Sequence, residues 1–142
     1  DSVCIRVYSK QIVEDLMKHN ILKNKTQKSA FPIVRNELFF DFLRGYIDGD
    51  GCIYVNDINV NRSQVNITSA QTDILNYIKD KLLSYGIFSN IYKEKEKKYR
   101  LCVSGKSMKK LLDYLYCDLS VQKLKRKYEK YLLYKALLIR NN

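Results

Sequence analysis

The chain of 142 residues is poor in the side chains from which metal clusters and disulfide scaffolds are built. It has one histidine, His19, and four cysteines, Cys4, Cys52, Cys102 and Cys117, no two of them in a C-x-x-C pair. Zinc ligands come in closely spaced pairs, so a structural zinc site is excluded. Cys4, Cys52 and Cys102 fall inside strand-like patterns, as thiols of a reducing compartment do, and a cytoplasmic setting follows. No apolar run approaches the roughly 18 residues of a membrane span. The start, Asp1-Ser2-Val3, has no charged-then-apolar signal pattern and no initiator methionine, and reads as a processed or excised piece of something longer.

What the chain has in excess is positive charge, +11 overall, and it is unevenly placed. Residues 1–92 carry eleven Lys/Arg against ten Asp/Glu, whereas residues 93–142 carry fifteen against five. A basic surface of this kind favours a polyanion, nucleic acid before anionic membrane, through counterion release and steering. With 46% hydrophobic residues the same chain can still build the core of one domain.

The periodicity switches along the chain. Pro32 bars an early helix start, Asn36-Glu37 is placed to cap one, and Leu38, Phe39, Phe42, Leu43, Tyr46 and Ile47 recur at three and four. From Cys52 the pattern alternates: Ile53 and Val55 against Tyr54 and Asn56, then Val65 and Ile67 against Gln64, Asn66 and Thr68, with an Asn-rich turn over 56–62. Thr72-Asp73 opens a second helix with Ile74, Ile78 and Leu82, stopped by Gly86. A second hairpin, 87–94 and 98–104, turns in the charged run Lys93 to Lys98. Met108, Leu111, Leu112 and Leu115 mark a third amphipathic helix, and Leu124 to Ile139 a more basic fourth.

Leu22-Lys23-Asn24-Lys25-Thr26-Gln27-Lys28 matches Leu124-Lys125-Arg126-Lys127-Tyr128-Glu129-Lys130 at four of seven positions. Ile5-Arg6-Val7, read as a strand, and a helix with Ile12 and Leu16 precede the first copy, as Leu101-Cys102-Val103 and Met108 and Leu112 precede the second. Residues 1–30 therefore read as the tail of a preceding, truncated unit or a linker, and 37–142 as a whole one.

The densest signal is Leu43-Arg44-Gly45-Tyr46-Ile47-Asp48-Gly49-Asp50-Gly51, which ends a helical pattern with two acids and three glycines in seven residues. Gly45 and Gly49 share one helical face, where another backbone can approach closely. The nonamer resembles the LAGLIDADG motif of homing endonucleases, and residues 37–142 resemble the α+β, αββαββα unit of that family, whose antiparallel sheet lies on DNA. The resemblance implies a divalent-metal-dependent endonuclease acting on double-stranded DNA, with Asp50 as metal ligand and catalytic carboxylate. It further implies pairing through Gly45, Asp48 and Gly49, either as a homodimer or with a second unit of a longer parent. Mg²⁺ is the cation that carboxylate oxygen suits, and phosphodiester cleavage needs it to polarise phosphate and activate water. Family members place a basic residue near each site, for which Lys127 and the matched Lys25 are candidates, with Lys125 next. Gln71 falls where relatives carry a polar residue near the metals. Arg44 departs from the family's small residue there, which implies looser or differently rotated helix pairing.

Strand alternation nominates the DNA face with some independence from the family. If Ile53, Val55, Val65, Ile67, Leu101 and Val103 point inward, then Tyr54, Asn56, Gln64, Asn66, Thr68, Arg100 and Cys102 point out. Gln and Asn suit adenine, Arg guanine and Thr the thymine methyl, and Tyr92 joins the set as an aromatic contact. Two rival motifs fail: an EF-hand read from Tyr46 would begin on a tyrosine, and Gly105-Lys106-Ser107 lacks the P-loop's earlier glycine because position 100 is Arg. A DNA- or RNA-binding protein of the same fold that does not cleave, a maturase or a transcriptional regulator, stays open as the alternative.

Overall fold

A short 3₁₀ turn, Asn36–Leu38, leads into the helix that carries the motif. The computed structural model describes residues 4, 6–19, 21 and 34–140. These fall into two compact units, Asp1–Val34 and Arg35–Asn142.

The first unit has one described element, α1 (Lys10–Lys18), whose Ser9 Oγ accepts from the Ile12 N–H at the N-cap. The strand expected over residues 5–7 is not among its described residues: 6–9 run without sheet pairing. A strand is stabilised by its neighbour's hydrogen bonds, and this unit supplies no second strand among the described residues. The Leu22–Lys28 repeat and Lys25 lie outside the described residues.

The second unit runs α2 (Phe39–Asp50), β1 (Cys52–Tyr54), β2 (Gln64–Ser69), α3 (Thr72–Ser84), β3 (Asn90–Lys95), β4 (Lys98–Ser104), α4 (Gly105–Tyr116) and α5 (Lys125–Arg140). All strand pairs are antiparallel, in the order β1-β2-β4-β3. Period-two patterning becomes layering: Ile53, Val65 and Val103 align across three strands and Ile67 and Leu101 across two, and all five are buried against the helices. Phe39, Leu43 and Ile47 of α2 and Met108, Leu111, Leu112 and Leu115 of α4 complete the core. Burying each such side chain contributes about 1.5–3 kcal/mol.

Three local expectations change. Asn36 does not cap α2, because its Oδ1 accepts from Lys81 Nζ at 2.6 Å and the 3₁₀ turn satisfies the first amides instead. In α3 the buried stripe is Leu75, Ile78 and Leu82, with Ile74 only partly buried, since the helix meets the sheet on the face centred one residue later. Strand β3 begins at Asn90 and not 87, because Ile87 is used to end α3. Its N–H bonds Leu82 O at 2.9 Å and the Gly86 N–H bonds Leu83 O at 2.8 Å, a Schellman stop with Gly86 at φ 66° and Ile87 buried. All four cysteines are free thiols. No helix among the described residues is long and apolar enough to cross a membrane.

Candidate functional site

Helix α2 stops at Gly51, whose N–H bonds Ile47 O at 2.9 Å. A Cβ at Gly51 would lie 2.7 Å from Ile47 Cα and 2.8 Å from Ile47 O, both backbone atoms, so only glycine lets the chain leave the helix in this direction. Gly45 and Gly49 are different. Both are exposed, and a Cβ at either meets nothing among the described residues within 4 Å. They lie on the side of α2 away from Phe39, Leu43 and Ile47, near Phe42 and the 40% exposed Leu38.

The family resemblance groups Asp48 with those glycines as a pairing residue, but its carboxylate turns toward this unit's own α4 and α5. Oδ1 accepts from Tyr116 Oη at 2.6 Å and Oδ2 from the Leu124 N–H at 2.8 Å, tying the motif helix to the end of α4 and the start of α5. Burial and this carboxylate push the Tyr116 hydroxyl well above its ordinary pKa. Arg44 also points inward, its side chain only 11% exposed. Its Nε donates to Gln122 O at 3.0 Å, its Nη1 to Leu115 O at 3.4 Å, and its Nη2 to Asp41 Oδ1 at 2.5 Å. The departure from the motif at position 44 therefore leaves the glycine face untouched, and the looser pairing expected from it has no basis on that face.

Lys127, in the first turn of α5, is buried at 4% exposure, and its Nζ donates to Gly51 O at the end of the motif. Burial and neighbouring Arg126 hold its pKa below the usual lysine value, against the opposing pull of Cys52 and Asp48. Lys125 is solvent-exposed, within 4.0 Å of Glu129. On the other side of the motif end, Asp50 is exposed and lies near Tyr46, whose hydroxyl is held by Ser69. Burial and the Asp50 charge push the Tyr46 hydroxyl up. Ser69 Oγ also accepts from the Gln71 N–H at 3.0 Å, so β2 ends at the motif with Gln71 as the N-cap residue of α3. Lys127 therefore sits on the carbonyl that follows Asp50, Tyr46 and Ser69 link Asp50 to the backbone at Gln71, and Lys25 lies outside the described residues.

The sheet's outer face is a polar grid. Tyr54 pairs with Gln64, Cys52 with Asn66 and Asn66 with Cys102, while Thr68 pairs with Arg100 and Arg100 with Tyr92. Arg100 Nη1 donates to Asn66 Oδ1 at 3.1 Å, its Nε lies 2.7 Å from Glu94 Oε1 outside hydrogen-bond alignment, and its guanidinium stacks 5.4 Å from the Tyr92 ring centroid. Cys102 Sγ donates to Gln64 Oε1 at 3.1 Å. Asn56 is engaged in its loop: Oδ1 accepts from the Ile58 and Asn59 N–H groups at 3.1 and 2.8 Å, and its amide donates to Tyr54 Oη at 3.2 Å. Tyr54 and Tyr92 stay about half exposed, at 46% and 48%.

A helix ending in Asp-Gly-Asp-Gly with an exposed glycine face, followed by hairpin, helix, hairpin and helix, matches the LAGLIDADG-like domain over residues 37–116. The chain belongs to the LAGLIDADG-like family. Among solved structures, this LAGLIDADG chain superposes on the homing endonuclease I-CvuI in complex with the I-CreI target, with a TM-score of 0.57 at 22% identity over 75% of this chain and 70% of that one. It also superposes on the meganuclease I-AabMI bound to uncleaved DNA, at 0.55 and 22% over 77% and 38%. The N-terminal LAGLIDADG domain of DUF199/WhiA gives 0.52 at 16% over 77% and 52%. At such identities the likeness establishes the fold, and the expected αββαββα class is what is found. In sequence the chain is 28% identical over 127 residues to the DNA-directed RNA polymerase subunit Rpo1C of Methanocaldococcus jannaschii, covering 89% of this chain and 14% of that protein's length.

Sequence reasoning missed Ser69, Tyr46, Glu94 and the inward role of Arg44. For Arg44 a signal existed: it stands four residues before Asp48, one helical turn, and about 100° around the helix from Gly45.

Proposed function

We propose that this chain is one unit of a site-specific double-stranded DNA endonuclease that hydrolyses phosphodiester bonds at a site shared with a second LAGLIDADG unit, in a homodimer or a longer parent. The observation that carries the reading is the empty glycine face beside an exposed Asp50. Glycine inside a helix costs about 1 kcal/mol relative to alanine, and nothing among the described residues requires the side chains at 45 and 49 to be missing. A second motif helix at close range does need them, and it brings a second Asp50-type carboxylate alongside the first.

Asp50 suits a hard divalent cation by donor chemistry and falls short by number. Among the described residues no group of three or more His, Cys, Asp or Glu is placed to hold a metal ion. Two units together supply the missing carboxylate, and a bound Mg²⁺ or similar ion then contributes phosphate polarisation and an activated water. Lys127, and Lys25 as its counterpart in a preceding unit, stabilise charge developing on the phosphate, while Gln71 orients solvent. Tyr54, Gln64, Asn66, Thr68, Tyr92 and Arg100 meet base edges, with Asn56 bracing Tyr54 and the lysines of 93–98 on the backbone. Mobility of an intron or intein is the setting such an enzyme serves. Binding of DNA or RNA without cleavage is the second reading, favoured by the single carboxylate at the motif end.

The test is Asp50→Asn in a verified homodimer or the full-length parent, with Mg²⁺ and a target mapped by selection. Cleavage falls by orders of magnitude while DNA binding persists. Undiminished cleavage would falsify the catalytic assignment, and a wild-type chain that binds DNA but never cuts it would establish the second reading.

A further inference from the structure

We infer that Arg44 is a positioning residue: together with Asp48 it grips both ends of the connection between α4 and α5, and so determines where the Lys127 ammonium meets the motif end. The inference rests on the reading of that end as a functional site. The connection is residues 117–124, of which all but Val121 and Lys123 are exposed, so that packing alone does not fix it. Arg44 holds Leu115 O before it and Gln122 O within it, while Asp48 holds Tyr116 Oη before it and the Leu124 N–H at its end. The two residues are one turn apart on one side of α2, so a single rigid element carries all four contacts. Helix α5 starts at Lys125, and Lys127 reaches Gly51 O from its third position.

The far half of α5 is held by other means, through buried Tyr131, Tyr134 and Leu137. In its first turn only Lys127 is buried, and a lysine is not held inside by its own hydrophobicity. The clamp therefore matters most for residues 124–128. Arginine is the residue for this task because its fork reaches two carbonyls and the Asp41 carboxylate at once, which a lysine ammonium on a flexible stem does not reproduce.

The test uses the full chain and needs neither DNA nor metal. Lysine accessibility is mapped by reductive methylation and mass spectrometry, with exposed Lys125 and Lys130 as internal references, alongside hydrogen exchange over α5. Arg44→Met keeps the stem and removes the donors. It should raise Lys127 modification about tenfold relative to Lys125 and speed exchange at 124–128 while 131–137 stays protected. Arg44→Lys should fall between, and Ile78→Val, which weakens the core away from the clamp, should leave the Lys127 to Lys125 ratio unchanged. A ratio unmoved by Arg44→Met and Arg44→Lys, or moved equally by Ile78→Val, overturns the inference. If a verified homodimer or the full-length parent cuts no DNA yet Lys127 responds as described, the clamp stands and the nuclease reading falls; if it cuts DNA and Lys127 does not respond, the reverse holds.

Discussion

The two sides of the motif helix are built on opposite principles. On one, Phe39, Leu43 and Ile47 are fully buried, and Arg44 and Asp48 beside them bond into α4, α5 and their connection. On the other, Leu38 and Phe42 flank two glycines at which an added Cβ would meet none of the described residues within 4 Å. The filled side holds the unit together and orients what surrounds Asp50. The glycine side weakens the isolated helix, because glycine pays backbone entropy and gains no side-chain contact among the described residues, a cost that the proposed second helix would offset. On the proposed pairing, one nine-residue motif separates folding from assembly by helical phase.

Substitutions that exchange the properties of the two sides should have opposite signs. The largest effect is expected at Leu43→Ala, which opens a cavity in the filled side and should cost about 2–5 kcal/mol in urea unfolding. A cost under about 1 kcal/mol would mean that this side is not the packed one. Gly51→Ala drives a methyl into the Ile47 backbone and should cost about 1–3 kcal/mol, with the damage read as faster exchange around the helix end. A neutral Gly51→Ala would remove the steric account of the motif's last glycine.

Gly45→Ala should do the reverse in the monomer, stabilising it by about 0.8–1 kcal/mol while weakening pairing in sedimentation. Loss of monomer stability would show that something within the chain fills the glycine face; gain of stability with unaltered pairing would move the interface elsewhere. The smallest effect is in pH. Tyr116 and Tyr131 have pKa values raised above the ordinary 10.0, by burial and by hydrogen bonds to Asp48 and Asp113. Their folded forms keep protons that the unfolded chain loses, so their contribution is full below pH 10 and declines as pH rises above it. Lys127 opposes this with a lowered folded value, adding stability as pH rises toward the ordinary 10.5. Tyr131→Phe should therefore flatten the alkaline fall in stability, and an unchanged slope would show that this hydroxyl does not drive it.

The order of elements, the strand faces and the motif were legible in the sequence because each depends on residues close in the chain. Alternation assigned Ile53, Val65, Ile67, Leu101 and Val103 to the core, and Gly86 to a helix stop, through local geometry alone. The direction of Asp48 and Arg44 was not legible, since their partners stand 68–78 residues away. Nor was the engagement of Asn56 in its loop, where backbone amides compete with any base for the same oxygen. A polar side chain takes the partner that tertiary structure brings within 3 Å, and periodicity says only which face it starts from. The sequence by itself therefore determined which segments are helices and strands, which residues are apolar enough for the core, and that Asp50 ends a glycine-bearing helix. Only the tertiary structure decided that Lys127 is seated at that helix end, that Asp48 and Arg44 hold the unit together from within, and that the glycine face is uncovered by the described residues.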